Sequence, residues 1–331
     1  MSRLVRICML VSGCIVGTLC WSAEEPQRQE ISVSTEATES QAGSPQQRTW
    51  VDRGHAMAAG SVDALAEKID RFFGAERADL ESASTALRLI LANDWREEEG
   101  NDTDVRLRGK LNLPRISERL SLIFSDEEGQ NANVDSDVSA VVSEQESTKV
   151  DLQYNIRDKK RSRLDFDVGL RSSLQGKARL RYRYQIPVTE KYTHRFTESV
   201  AFIDGEGFSL RSRYELDRKL NEKQLLRWAN NLKFVEQGDG VEWSTRLLLG
   251  EQLDDRAAIS WFVWSSGVTR PDYLTTSYGL GLRFRRNFHR DWLFYEVEPG
   301  YAWIREEVSD NRNGAVLLNL RLIISLERLA D

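Results

Sequence analysis

The side chains here whose chemistry could be put to use are three histidines, a few carboxylate pairs and a series of arginine rows. His55, His194 and His289 lie far apart, and none sits in the HExxH arrangement that holds zinc on a helix. No metal site is expected from them. Nucleophilic catalysis needs a nucleophile, a base and an orienting group at one place. His194 with a serine from another strand is the arrangement available, but no serine–histidine signature stands beside it. Asp204-Gly-Glu-Gly207 lacks the lysine and the following helix of a phosphate loop and reads as a hairpin turn. Asp165/Asp167 and Glu296/Glu298 are two apart, which puts each pair on one face of a strand. Such pairs can do acid–base work. The reading favoured here is that they compensate neighbouring arginines, because an unpaired buried charge is costly. No catalytic, cofactor-binding or metal-binding residue is assigned, and no cofactor is expected.

The arginine rows say more. Sixteen residues recur at every second position within extended segments. They are Arg106, Arg108, Lys110, Arg163, Asp165, Asp167, Arg179, Arg181, Arg183, Arg211, Arg213, Glu215, Arg283, Arg285, Glu296 and Glu298. If they line an open channel, they form a positive stripe that favours anions. If Asp and Glu of neighbouring strands pair with them, they make a salt-bridged interior that closes a narrow barrel. The rows of opposite sign favour pairing.

The elements that must carry these rows follow from the alternation. Val105, Leu107, Gly109, Leu111 and Leu113 interleave with Arg106, Arg108, Lys110 and Asn112. Leu180, Tyr182, Tyr184 and Ile186 interleave with the row Arg179, Arg181, Arg183. Period two means one greasy and one charged face per strand. The pattern predicts strands over roughly 81–93, 104–113, 118–125, 148–158, 162–173, 176–187, 192–203, 207–218, 223–236, 241–253, 256–266, 273–286, 291–306 and 314–327. That is about fourteen, with twelve as the alternative. Loops 94–103 and 126–147 read as long, acidic and polar; the other connections are short, with Gly and Pro turn chemistry.

Ahead of the strands, residues 54–74 predict one amphipathic helix within a segment spanning 50–80. Val62, Leu65, Ile69 and Phe72 fall on one face, with Phe73 beside them. Asp63, Glu67, Lys68, Asp70 and Arg71 take the other, Ser61 is the N-cap and Gly74 the stop. The helix either docks a periplasmic partner, in one form by plugging the barrel, or packs on the barrel rim; the rim is favoured. Residues 24–49 are rich in Glu, Gln, Ser and Thr, hold no aromatic and read as a disordered linker. Arg3 and Arg6, an apolar run from Ile7 to Cys20 and the small residues Ser22-Ala23 read as a secretory signal peptide over 1–23, the alternative being an anchoring helix. Val11-Ser-Gly-Cys14 is a weaker match to a lipoprotein box, which makes Cys14 a candidate lipidation site.

All three cysteines (Cys8, Cys14, Cys20) lie in that leader, so no disulfide scaffold is expected in a processed chain. The formal charge of −6 becomes −8 once Arg3 and Arg6 are removed, which is not the balance of a nucleic-acid-binding protein.

A soluble barrel would turn its greasy face inward, and strands this long and numerous would enclose an oversized apolar core. Turned inside out, the same sheet puts grease against lipid and charge in a wet lumen. Trp243, Trp261, Trp264, Tyr273, Tyr278, Trp292, Tyr295, Tyr301 and Trp303 crowd the last third and suit interfacial girdles. A sheet facing lipid must also close on itself, and the segment Val316 to Leu326 ends it almost at the C-terminus. In this the chain resembles the bacterial outer-membrane β-barrel proteins. It departs from them in ending Leu326-Glu-Arg-Leu-Ala-Asp331 instead of on an aromatic residue. Arg106 to Arg115, Glu118 to Leu122 and the helix Val62 to Gly74 are also similar to an uncharacterised proteobacterial barrel family, over residues 50–330.

The fold expected is therefore an all-β antiparallel transmembrane barrel over 81–331, in the outer membrane, with its N-terminal segment in the periplasm. Its expected partners are outer-membrane lipids and the barrel-insertion machinery, with a possible periplasmic partner at residues 54–74 and no nucleic acid. The function expected is an envelope pore or passive transporter. The alternatives are a structural or assembly protein using the helix, and a barrel hydrolase acting on lipid.

Overall fold

The computed structural model describes residues 50–73, 85–97, 100–113, 116–117, 119–126, 148–159, 161–171, 175–238, 240–305 and 307–328. The leader with Cys14, the linker and the 127–147 connection lie outside them. Among the described residues, one helix, α1 (Trp50–Phe73), precedes fourteen strands. These are β1 (Thr85–Arg96), β2 (Gly100–Asn112), β3 (Leu120–Asp126), β4 (Thr148–Lys159), β5 (Ser162–Arg171), β6 (Gly176–Thr189) and β7 (Tyr192–Ile203). They continue with β8 (Gly207–Lys219), β9 (Gln224–Val235), β10 (Val241–Gln252), β11 (Ala257–Val268), β12 (Leu274–Asn287), β13 (Leu293–Ile304) and β14 (Asn313–Arg328).

Every strand pairs antiparallel with its sequence neighbour, and β14 pairs with β1 from Thr85↔Arg328 to Arg96↔Leu317. The barrel is closed, so no backbone edge is left for lipid to face. Most strands run 10–16 residues, enough to span a hydrocarbon core when tilted. β1 begins and β14 ends at the same mouth, here called the proximal mouth; the connections 190–191, 220–223, 253–256 and 288–292 turn there too.

The alternation sorts the two faces. Val105, Val150, Val168, Leu170, Leu247, Val263, Leu280 and Leu320 are exposed on the outside, and Asp151, Asp167, Arg246 and Arg321 beside four of them are buried inside. Some outer aromatics gather toward each mouth, and Phe196, Tyr214 and Trp228 meet between them. Trp243 stacks on Tyr273, and Tyr278 on Trp303, toward the distal mouth; Phe288, Trp292 and Tyr295 gather at the proximal one.

Three expectations change. Trp264 is not in a girdle: it is buried in the lumen with Phe262. Trp261 and Trp264 are three residues apart, an odd number, so one strand cannot turn both outward. The 94–103 loop is instead a tight hairpin, since β1 runs to Arg96 and β2 starts at Gly100, whose φ of 92° suits glycine. Its polar residues pair across the strands, Asn93 Nδ2 donating to Thr103 Oγ1 at 2.8 Å. Ser61 does not cap the helix, which runs unbroken from Trp50 because Ala56-Met-Ala-Ala59 are strong helix formers.

Candidate functional site

The site is the lumen and what fills it. α1 does not pack on the rim, as favoured above; its second half enters the proximal mouth. Val62, Leu65, Ala66, Ile69 and Phe73 are buried together with Leu225 of β9 and Ala258 of β11. Gly250 on β10 leaves the room this needs, since a Cβ there would stand 3.3 Å from Ile69 Cγ2. Phe72 meets Phe294 of β13 edge to face.

Polar contacts fix the depth of the helix. Asp70, expected on the solvent face, is 1% exposed, and Arg227 of β9 donates to it through Nη1 at 2.5 Å and Nη2 at 3.1 Å. The same guanidinium donates to Asp217 of β8 at 2.7 Å and 3.0 Å. At the helix C-terminus, Arg285 donates to the Phe72 carbonyl at 2.6 Å and Arg88 to that of Arg71 at 3.1 Å. Cations there satisfy orphan carbonyls and suit the negative end of the helix dipole. Asp63 faces Thr193, Gln185 and Arg195. Burial raises its carboxyl above the ordinary carboxylate value, and these three neighbours hold the rise in check. Glu67, Lys68 and Arg71 are the exposed face.

The sixteen candidate residues all lie on the lumen side. Lys110, Arg163, Asp165, Asp167, Arg179, Glu215, Arg283, Arg285, Glu296 and Glu298 are buried; Arg106, Arg108, Arg181, Arg183, Arg211 and Arg213 are half-buried. The structure gathers them into local networks. On β4–β6, Arg179 and Arg181 share Asp167 at 2.5 Å and 3.4 Å, and Arg163 binds Asp165 at 2.8 Å. On β12–β14, Arg283 binds Glu298 at 2.6 Å, Arg285 lies 3.3 Å from Glu296, and Arg321 donates to both carboxylates. On β1–β2, Arg106 donates to Asp104 and Asp94. The pairs Asp165/Asp167 and Glu296/Glu298 thus serve arginines.

Arginine is dense on the β6–β8 side of the wall. β7 puts only hydroxyls into the register between two arginine rows. Arg183, Thr197 and Arg213 stand side by side, as do Arg181, Ser199 and Arg211. Arg181 lies 3.4 Å from Asp167 and Arg213 donates to Glu215 at 2.8 Å, carboxylates that Arg179 and Arg227 also approach. This side of the lumen is therefore lined by two arginine rows with hydroxyls between them. Opposite it, Phe262, Trp264, Leu248, Ala302 and Leu317 form an apolar cluster, with Arg246 over the Phe262 ring at 3.9 Å. Gly279 and Gly281 make space for the two rings.

Sequence reading missed Arg227, Arg88, Arg195 and the Phe262/Trp264 cluster. Arg227 lies two residues from Leu225 and Ala229 on the same side, so β9 shows no clean alternation. Its signal was a single arginine inside an apolar strand. His194 faces outward, its Nδ1 2.7 Å from the Tyr214 hydroxyl, a phenol instead of the serine that hydrolysis requires.

No family model and no curated protein matches this chain, so the resemblance read over 50–330 has no characterised family to attach to. Among solved structures, the KdgM porin in complex with disordered oligogalacturonate is 8% identical with a TM-score of 0.37, over 72% of this chain and 99% of that one. OccK5 of Pseudomonas aeruginosa is 8% identical with a TM-score of 0.43, over 74% and 98%. Outer-membrane expressed OmpT of Vibrio cholerae is 10% identical with a TM-score of 0.42, over 73% and 97%. These are likenesses of one barrel to another and carry nothing about solute.

Proposed function

We propose that the chain is an outer-membrane channel for small anions, held shut at its proximal mouth by its own helix α1. The observation that carries this is the helix inside the mouth, held by Asp70–Arg227 beneath a wall lined with arginine rows on β6 and β8. A barrel that served only as scaffold needs no plug with a buried ion pair. The proximal mouth, where the strands begin and end, faces the periplasm in this reading. A periplasmic partner would work on the exposed Glu67, Lys68 and Arg71, because the apolar face of residues 62–73 is taken by the wall.

Planar-bilayer recording tests it. The protein lacking residues 50–73 is expected to conduct strongly and to prefer chloride over potassium, while the full chain conducts weakly or in rare openings. Equal conductance of the two would exclude α1 as the plug. A channel preferring potassium would exclude anion selection.

A further inference from the structure

We propose that the outer face of β7–β9, centred on β8, seats a second copy of this chain within the membrane; this rests on the reading that the apolar outer face lies in lipid. Around most of the barrel that face is Leu, Val, Ile and aromatic residues. On β7 it is broken by Glu198, which points outward between Phe196 and Val200. Ser212 Oγ of β8 donates to Glu198 Oε1 at 2.5 Å. Two further polar side chains follow in the same belt, Asn230 of β9 and Thr245 of β10, which are directly paired in register.

A carboxylate offers about four acceptor positions, and a single serine fills one. Lipid tails supply no donor, so facing lipid leaves the group short of partners, which is costly. An ionisable side chain in the membrane is rare and marks a use.

Geometry selects a second copy as the occupant. Two copies in one bilayer share the membrane normal, so a twofold axis runs along it and every residue meets partner residues at its own depth. Such an interface must be self-complementary. Glu198 is the seventh of the twelve residues of β7, and Asn230 is the seventh of the twelve of β9. Both sit at mid-height. When the two faces meet, β7 of one copy lies opposite β9 of the other. Each Glu198 acceptor then faces an Asn230 amide donor, twice per dimer.

The test is native mass spectrometry of the full chain released from bilayer nanodiscs, for the wild type, Glu198→Leu and Glu198→Gln. The wild type and Glu198→Gln, which keeps the acceptor oxygen, are expected as dimers. Glu198→Leu is expected as a monomer whose unboiled gel band still migrates as a folded barrel. A monomeric wild type, or a Glu198→Leu protein that stays dimeric, would overturn the proposal, as would a different protein in place of the second copy. A chain with no folded band in membrane extracts would instead fail at the barrel reading itself.

Discussion

Asp70 and Arg227 show how little chemistry separates a shut mouth from a loose one. Replacing Asp70 with Ala leaves Arg227 its contacts to Asp217 and Glu215 but strips one buried charge-assisted pair. The loss is about 2 kcal/mol, or roughly thirtyfold in the docked population. In bilayers this is expected as openings roughly that much more frequent, with the single-channel current unchanged. Asp63 adds a pH dependence. Its carboxyl is raised when the helix is docked, so protonation favours docking. Docking is therefore strongest at or below the ordinary value of 3.8 and weakens as pH rises through the raised value. The wild-type channel is expected to open less as the bath is acidified through that window, and Asp63→Asn to lose the dependence; an unchanged profile in the variant would remove Asp63 from the account. In the helix-deleted protein, Arg183→Gln and Arg213→Gln each take away about 1 kcal/mol of attraction for an anion ~4 Å away in water. Reversal potentials should report the anion preference falling with each change. At this scale the lumen arginines were legible, since parity along a strand assigns a face. Asp70 was not: the helical wheel groups it with Asp63 and Glu67, and what buries it is an arginine 157 residues later.

Elements were legible where alternation was clean and blurred where it was not. β6 runs Arg179 to Ile186 without a break, and its bounds came within two residues at the far end. The 94–103 stretch looked like a loop because Asn, Asp and Glu are poor strand formers; ladder pairing across β1 and β2 overrides that. Trp264 was misplaced because tryptophans were grouped by neighbourhood and not by parity. Its seat depends on Gly279, where a Cβ would stand 2.4 Å from Trp264 Cη2 and 2.5 Å from the Tyr301 carbonyl oxygen. One of those contacts is backbone, so the strand itself must move. Gly279→Ala is expected to cost about 1–3 kcal/mol by overpacking, read as a lower temperature for loss of the folded band in detergent. An unshifted temperature would mean the ring can swing aside.

For the whole molecule, closure follows from the last strand finding the first, and that pairing could be anticipated only from the demand that lipid tolerates no open edge. The count of fourteen was legible once each alternating run was taken as one strand. What the sequence could not reveal is that the helix sits inside the barrel, since its apolar face fits a rim, a partner or a lumen equally well. Eleven residues, 74–84, join the helix to β1 at the mouth it closes. The plug is thus a ligand that never leaves its receptor, present at an effective concentration of about millimolar. A free peptide of residues 50–73, added to the shortened barrel, should match the closure of the full chain only when supplied near that concentration, so the covalent leash and the strength of the fit together set how rarely the mouth stands empty.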